Sequence, residues 1–167
     1  MPRSGPRPAG GLALSHHADA ASATQARAAG YTVPVPAGWA DRSVTTLTAP
    51  PTDEGYVPNV VVTREALCQG MGLGGFADGY QNLLVDQVSA YRVLSTEHAE
   101  LGGERALVRT VRWQLGQEEP VIQLQAFCTR GGVGYAFVGT AAEDGFADAE
   151  PAFREALAGF RFDEDAA

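Results

Sequence analysis

The chain has 167 residues and a formal net charge of −8, with 20 acidic side chains against 12 basic ones, all of them arginine. A surface this acidic repels phosphate groups, so nucleic acids are excluded as expected partners. The length suits a single domain, and the absence of an apolar run near ~18 residues excludes stable membrane insertion. Two cysteines and three histidines are too few for a structural zinc site, and we predict neither a metal nor a cofactor.

The two ends differ in composition from the rest of the chain. Residues 1–30 contain no aromatic side chain and are rich in Ala, Gly, Ser and Pro, so they are predicted to form a flexible leader. Their best apolar stretch, Leu12 to Leu14, is too short for a secretory signal, which predicts a cytoplasmic protein. Residues 164–167 are predicted to be an acidic tail. A single domain is therefore expected over residues 31–163.

Short β-branched runs separated by turn residues predict a sheet in the body of the chain. In chain order the expected strands are Tyr31–Val35, Ser43–Thr48, Asn59–Thr63, Tyr91–Glu97, Arg105–Gln114, Val121–Thr129 and Val133–Thr140. Apolar residues at helical spacing predict helices over Gly75–Ser89 and about Glu150–Ala158. Consecutive strands joined by short turns are typical of a meander. We therefore predict the α+β class, with a twisted antiparallel sheet and helices packed on one face.

Strand alternation predicts what the uncovered face of this sheet carries. Along Val121–Cys128, alternate residues point to opposite faces, which places Gln123 and Gln125 away from the helices. The same rule places on that face Val44, Thr46 and Val61. A face that mixes apolar side chains with amides and hydroxyls suits an amphipathic partner segment, and an ordinary solvated sheet face is the alternative.

A glycine-rich loop matches the spacing of dinucleotide-binding loops, through Gly70, Gly72 and Gly75. In such a loop the glycines directly follow a strand of a parallel βαβ unit. Here residues 65–69 intervene, and the rest of the chain indicates a meander. We therefore interpret these glycines as a flexible turn into the first helix.

Cysteine and histidine could in principle form a nucleophile and base. Cys68 or Cys128 would pair with His98, yet no third residue is evident to orient the imidazole. No disulfide is expected in a chain without an export signal. We predict no enzyme and no catalytic residue, and a hydrolase that uses Cys68 or Cys128 with His98 is an alternative.

Four motifs in series resemble a known family. They are Tyr31-Thr-Val-Pro-Val-Pro-Ala-Gly-Trp39-Ala-Asp41-Arg-Ser43-Val44, Asn59-Val-Val-Val-Thr-Arg64-Glu65, Phe76-Ala-Asp78 and Val111-Arg-Trp113-Gln114. In order and spacing, residues 31–162 resemble the DcrB-like proteins of the PsbP-like fold. Among these, the chain is most similar to the effector-associated (Eag) chaperones of bacterial type VI secretion.

The resemblance implies an α/β sandwich that forms a homodimer and shields the hydrophobic or transmembrane N-terminal helices of a toxin effector of the PAAR or Rhs type. By position, the implied partner-binding residues are Val44, Thr46, Val61, Thr63, Gln123 and Gln125. We thus predict a cytoplasmic chaperone or adaptor that helps to load an effector on a contractile secretion system. The alternative is an actinobacterial LpqN-like cell-envelope protein that binds a small apolar ligand or a protein partner.

Overall fold

The computed structural model describes residues 42–51 and 56–163 in full, and residues 25–28 and 31–34 as backbone strands. Strand β1, Gln25–Ala28, pairs antiparallel with β2, Tyr31–Pro34, in a compact unit that ends at Asp41. Strand β1 lies within the predicted leader, whose composition does not reveal pairing with a β-branched neighbour. The remaining leader residues, 1–24 and 29–30, and the predicted tail 164–167 lie outside the described residues.

A six-stranded sheet forms the body of the second unit, which begins at Arg42. Its strands are β3 (Thr45–Thr48), β4 (Asn59–Ala66), β5 (Ser89–Leu101), β6 (Glu104–Gln114), β7 (Val121–Arg130) and β8 (Val133–Ala142). They lie in the order β3-β4-β8-β7-β6-β5, and every neighbouring pair is antiparallel. The predicted antiparallel sheet is confirmed.

Glycine pairs close two of the hairpins. Gly102 and Gly103 join β5 to β6 with φ of 61° and 85°, and Gly131 and Gly132 join β7 to β8 with φ of 57° and 77°. Two consecutive residues at positive φ form the turn whose twist matches the flanking strands, and glycine adopts that conformation at the lowest cost. The meander connections therefore follow directly from the sequence.

Two helices complete the unit: α1 covers Leu73–Val85 and α2 covers Phe146–Gly159. Helix α1 begins and ends earlier than predicted, and α2 begins one turn before the predicted start at Glu150. The ring centroid of Phe146 lies 6.2 Å from that of Phe153, and only 8% of Phe146 is exposed. Burial of this aromatic side chain stabilises the first turn of α2. The sequence did not indicate this turn, because Pro151 is a residue favoured at helix starts and so suggested a later one.

The two helices lie on opposite faces of the sheet. Helix α1 packs Phe76 and Ala77 in one cluster, and α2 packs Phe153 and Leu157 in another. The sheet residues in the α1 cluster are Leu107, Phe127 and Ala136. Those in the α2 cluster include Ala106, Val108, Leu124, Ala126, Cys128 and Phe137. Because the two sets alternate along β6, β7 and β8, they point to opposite sides, named here the α1 face and the α2 face.

This arrangement corrects one detail of the predicted fold, which placed both helices on one face; the α+β class itself is confirmed. The reason lies in the central strand β7, which is buried on both of its sides from Gln123 to Cys128. A strand buried on both sides requires cover on both faces of its sheet. Strand alternation puts Phe127 on the same face as Gln123 and Gln125, which was expected to be uncovered, and Phe127 belongs to the cluster in which α1 packs.

Two glycines of β8 allow the helices to approach the sheet closely. A Cβ atom on Gly134 would lie 2.8 Å from the ring of Phe76 in α1, and one on Gly139 would lie 2.6 Å from the ring of Phe153 in α2. Each distance is far below ordinary van der Waals contact, so the two aromatic rings rest directly on the backbone of β8.

Candidate functional site

A row of side chains crosses the α1 face at right angles to the strands. From β3 to β5 this cross-strand row consists of Thr46, Val61, Val138, Gln125, Arg109 and Thr96, each opposite the next in register. Exposure falls towards the centre: Thr46 is exposed, Val61 is half-buried and Gln125 is 1% exposed. Exposure rises again at Thr96 on β5. The row is therefore closed on β7, and its exposed end on β3 and β4 is called here the accessible part.

Five of the six predicted partner-binding residues lie on this one face. Three of them, Thr46, Val61 and Gln125, are members of the cross-strand row. Thr63 follows on β4, opposite Ala136, and Gln123 lies on β7, opposite Thr140. The sixth, Val44, precedes β3 by one residue, and 54% of it is exposed. Strand register thus brings together residues that are distant in sequence.

The two glutamines are hydrogen-bonded inside the protein. Gln125 Nε2 donates to Gln123 Oε1 over 2.8 Å, and Gln123 Nε2 donates to Thr140 Oγ1 over 3.1 Å. The remaining acceptor, Gln125 Oε1, is buried and has no hydrogen-bond partner in the described part of the chain. A buried acceptor without a partner costs about 1–3 kcal/mol. The two amides are therefore held in a fixed orientation, and only Gln125 Oε1 could still accept a hydrogen bond from a donor.

Arg109 connects helix α1 to this face. Its guanidinium donates to the carbonyl oxygen of Ala77 over 3.3 Å, to Gln81 Oε1 over 2.9 Å and to Asp78 Oδ1 over 2.7 Å. Only 12% of the side chain is exposed. Arg109 therefore positions α1.

The hydroxyl of Tyr91 is also affected by Arg109. Burial raises the pKa of the Tyr91 hydroxyl, and the charge of Arg109 lowers it by a smaller amount. Tyr91 therefore stays protonated at neutral pH.

The cysteines and the histidine do not come together as a nucleophile and base. Cys128 belongs to the α2 cluster, whereas His98 lies opposite Leu107 of the α1 cluster and so points to the other face. Burial raises the pKa of the Cys128 thiol to about 11, and the charge of Glu104 adds to this. Cys68 follows β4, which is four strand spacings, or about 19 Å, from the strand of His98. These three residues therefore provide no activated nucleophile.

The glycine-rich loop leads into α1, with Gly72 at the N-cap. Both neighbours of β4 in the sheet, β3 and β8, are antiparallel to it, so the parallel unit of a dinucleotide site is absent from the described strands. Among the residues that the structure describes, no three His, Cys, Asp or Glu side chains are grouped to hold a metal ion. No helix within the described ranges is long and apolar enough to cross a membrane.

A second concave feature, which the sequence analysis did not predict, lies on the α2 face. A groove of about 450 Å³ runs between α2 and strands β3 and β4. Buried Val60 and Phe153 form its floor, and Leu47 forms one wall. The opposite wall consists of Ala149, Ala152 and Ala156. Alanines three and four residues apart occupy one helix face, a signal that becomes visible only when α2 is extended to Phe146. We call this feature the α2 groove.

Comparisons with known proteins identify a family and a shared fold. A family model described as DcrB matches residues 32–159. The crystal structure of PA94, a protein of unknown function and candidate regulator from Pseudomonas aeruginosa, is 20% identical and covers 84% of this chain and 97% of that chain, with a TM-score of 0.68. The solution structure of CyanoP, the PsbP of Synechocystis sp. PCC 6803, is 16% identical and covers 85% and 92%, with a TM-score of 0.48. A search of the curated proteins finds no match. The likeness to PA94 shows a shared fold.

Proposed function

The chain belongs to the DcrB family, and from that premise we propose that it is a non-enzymatic chaperone or adaptor for a hydrophobic helical segment of a secreted effector. The proposed effector is a toxin of the PAAR or Rhs type, loaded on a contractile secretion system. In this proposal the protein works in the cytoplasm as a homodimer. The observation that supports the proposal best is the accessible part of the cross-strand row.

In that accessible part, apolar and hydroxyl side chains lie side by side on β3 and β4. Thr46 is exposed and directly opposite Val61, and Thr63 is half-buried on the same face. An apolar helix laid over this surface gains about 25 cal/mol for each Å² of apolar area removed from water, before the costs of association. The hydroxyls can accept or donate hydrogen bonds where the helix carries polar groups.

The overall charge supports the same role. A formal net charge of −8 opposes aggregation of a protein that has an exposed apolar surface when no partner is bound. It also favours partners whose apolar helix is flanked by basic residues, because opposite charges speed the encounter.

Adjacent residues of β3 offer a matched test. We would co-express the protein with a soluble carrier that bears a leucine–alanine helix and measure how much carrier co-purifies. Thr46→Asp places a charge on the α1 face, whereas Thr45→Asp places the same charge on the opposite face of the same exposed strand. We expect Thr46→Asp and Val61→Asp to reduce co-purification at least about tenfold, because a carboxylate resists transfer to an apolar contact. Thr45→Asp should retain it, and equal retention by all three variants would refute the proposal.

A second candidate function is suggested by the α2 groove, whose volume of about 450 Å³ suits a small apolar ligand. In that case the protein would resemble the LpqN-like proteins of the cell envelope. Its recovery in a membrane or secreted fraction, together with uptake of a neutral fluorescent dye that Ala152→Leu abolishes, would favour this candidate.

A further inference from the structure

Strand β3 is an open edge of the six-stranded sheet. It stands at the end of the strand order, none of the described strands pairs with its outer side, and Thr45–Thr48 are all exposed. The N–H of Ala49 donates to the carbonyl oxygen of Pro58 over 2.9 Å, in the register that also pairs Leu47 with Val60. Because N–H directions alternate along a strand, the main-chain groups of Thr46 and Thr48 point outward.

The two edges of the sheet differ in their protection. The other edge, β5, is interrupted by two register shifts and carries the charged residues Arg92, Glu97 and Glu100. Bulges and charges of this kind prevent another strand from adding to an edge. Strand β3 has an unbroken register from Thr45 to Thr48 and no charged side chain. Of the two edges, β3 is therefore the one better suited to accept a further strand.

The α2 groove opens beside this edge. Leu47 is 54% exposed and forms the wall of the groove on the β3 side. Asp148 is the one charged residue that lines the groove, and none of the ion pairs among the described residues includes it. The neighbouring acids Glu143 and Glu150 are paired with arginines. An open strand edge, an apolar groove and an unpaired carboxylate thus lie next to one another.

We propose that β3 and the α2 groove together bind one extended peptide segment. The main chain of the segment adds to the outer edge of β3, an apolar side chain enters the groove, and a lysine or arginine lies against Asp148. A peptide is the occupant that these features favour over a small ligand, because only a main chain carries donors and acceptors at strand spacing. The segment would contact the outer main chain of β3 and the α2 face, whereas the cross-strand row presents side chains on the α1 face, so either proposal can fail alone.

Calorimetric titration with the synthetic peptide acetyl-Thr-Val-Thr-Val-Thr-Lys-amide tests the proposal. We expect binding that Asp148→Asn weakens about threefold to fivefold through loss of a partly exposed charge pair. Thr48→Pro removes an outward N–H without removing a bond to β4 and should weaken binding about tenfold. The same peptide with an N-methyl group on each valine should also bind less well, and this measurement does not depend on the folding of a variant.

The controls separate this proposal from its competitors. Asp144→Asn makes the same charge change outside the groove lining and should leave the affinity unchanged. Thermal unfolding checks that Thr48→Pro is folded. Absence of peptide binding, or equal affinity in the parent, Asp148→Asn and Thr48→Pro proteins, would overturn the proposal. Binding of dodecylamine in place of the peptide would also overturn it, and would assign the groove to a lipid-like amine.

Discussion

The two cysteines show at the scale of single residues how position sets chemistry. Cys128 is fully buried on the α2 face, and burial raises its thiol pKa to about 11. Cys68 is exposed in the turn that follows β4. Only the thiolate is an effective nucleophile, so reactivity should follow exposure and pKa together.

Thiol labelling gives the first prediction. In the native protein one thiol, that of Cys68, should react rapidly with a disulfide reagent, and Cys128 should react only after unfolding. The Cys68→Ser variant should lose the rapid phase, whereas Cys128→Ser should keep it. Rapid reaction of two thiols in the folded protein would contradict the burial of Cys128.

The same thiol predicts a dependence of stability on pH. The pKa of Cys128 rises from 9.0 to about 11 on folding, so the folded state holds the proton more tightly than the unfolded state. The resulting stability is complete below pH 9.0 and is lost as pH rises towards about 11. Burial also raises the pKa of Tyr80 and Tyr91, which makes a reference variant necessary.

Urea unfolding at about pH 8 and about pH 10.5 measures this effect. The free energy of unfolding should decrease more in the parent protein than in Cys128→Ala, which lacks the thiol. Tyrosines contribute equally to both proteins. Identical decreases would show that Cys128 does not carry the predicted linkage.

At the scale of elements, β8 is the strand on which both helices rest. Its two glycines, Gly134 and Gly139, lie under aromatic rings from opposite sides. Sequence alternation identified this stretch as a strand, yet glycine is unfavourable in strand interiors and gave no indication of what it accommodates. The helices could be placed only once the ring contacts were known.

Alanine substitutions at two separate glycines test this packing. Gly139→Ala should destabilise the protein by about 1–3 kcal/mol, because its Cβ would overlap the Phe153 ring and force a shift. Gly79→Ala is the matched control: it lies within α1 with nothing near its Cβ position, and should stabilise by about 0.5–1 kcal/mol. Both values are read from urea unfolding. A neutral Gly139→Ala would mean that α2 does not rest on the strand backbone.

At the scale of the whole molecule, the sheet separates two apolar clusters. Phe76 belongs to the α1 cluster and Phe153 to the α2 cluster, and no residue is shared between them. Packing on both faces also explains why the glutamines of β7 are enclosed although they look suited to solvent. Among the described residues, the two candidate binding surfaces are the β3 and β4 end of the α1 face and the α2 groove.

Independent clusters predict additive energetics. Phe76→Leu and Phe153→Leu should each destabilise by about 1 kcal/mol, and the double variant should equal their sum within about 0.5 kcal/mol. Equilibrium unfolding of the four proteins in the double-mutant cycle provides the measurement. A coupling well above that limit would show that strain passes through the sheet from one helix to the other.

Strand alternation predicted one part of the candidate site, namely which residues share a face of the sheet. Parity alone put Val61, Gln123 and Gln125 on one face, and the register confirms that they share it. The burial of the two glutamines was not predictable, because it depends on residues distant in the chain, such as Arg109 opposite Gln125 and Thr140 opposite Gln123. The α2 groove was missed for a related reason: its walls come from β3 and from a helix turn that only the Phe146–Phe153 contact stabilises.

By itself the sequence determined the α+β class, the approximate positions of the strands in the six-stranded sheet, the glycine hairpins and the residues that share a face, because these depend on local conformation and on the two-residue period of a strand. Tertiary structure alone decided which face each helix covers, that Gln123 and Gln125 bond to one another, and that β3 remains an open edge beside a groove. Those outcomes depend on contacts between residues far apart in the chain, such as Phe76 with Phe127. A local period carries no information about such contacts.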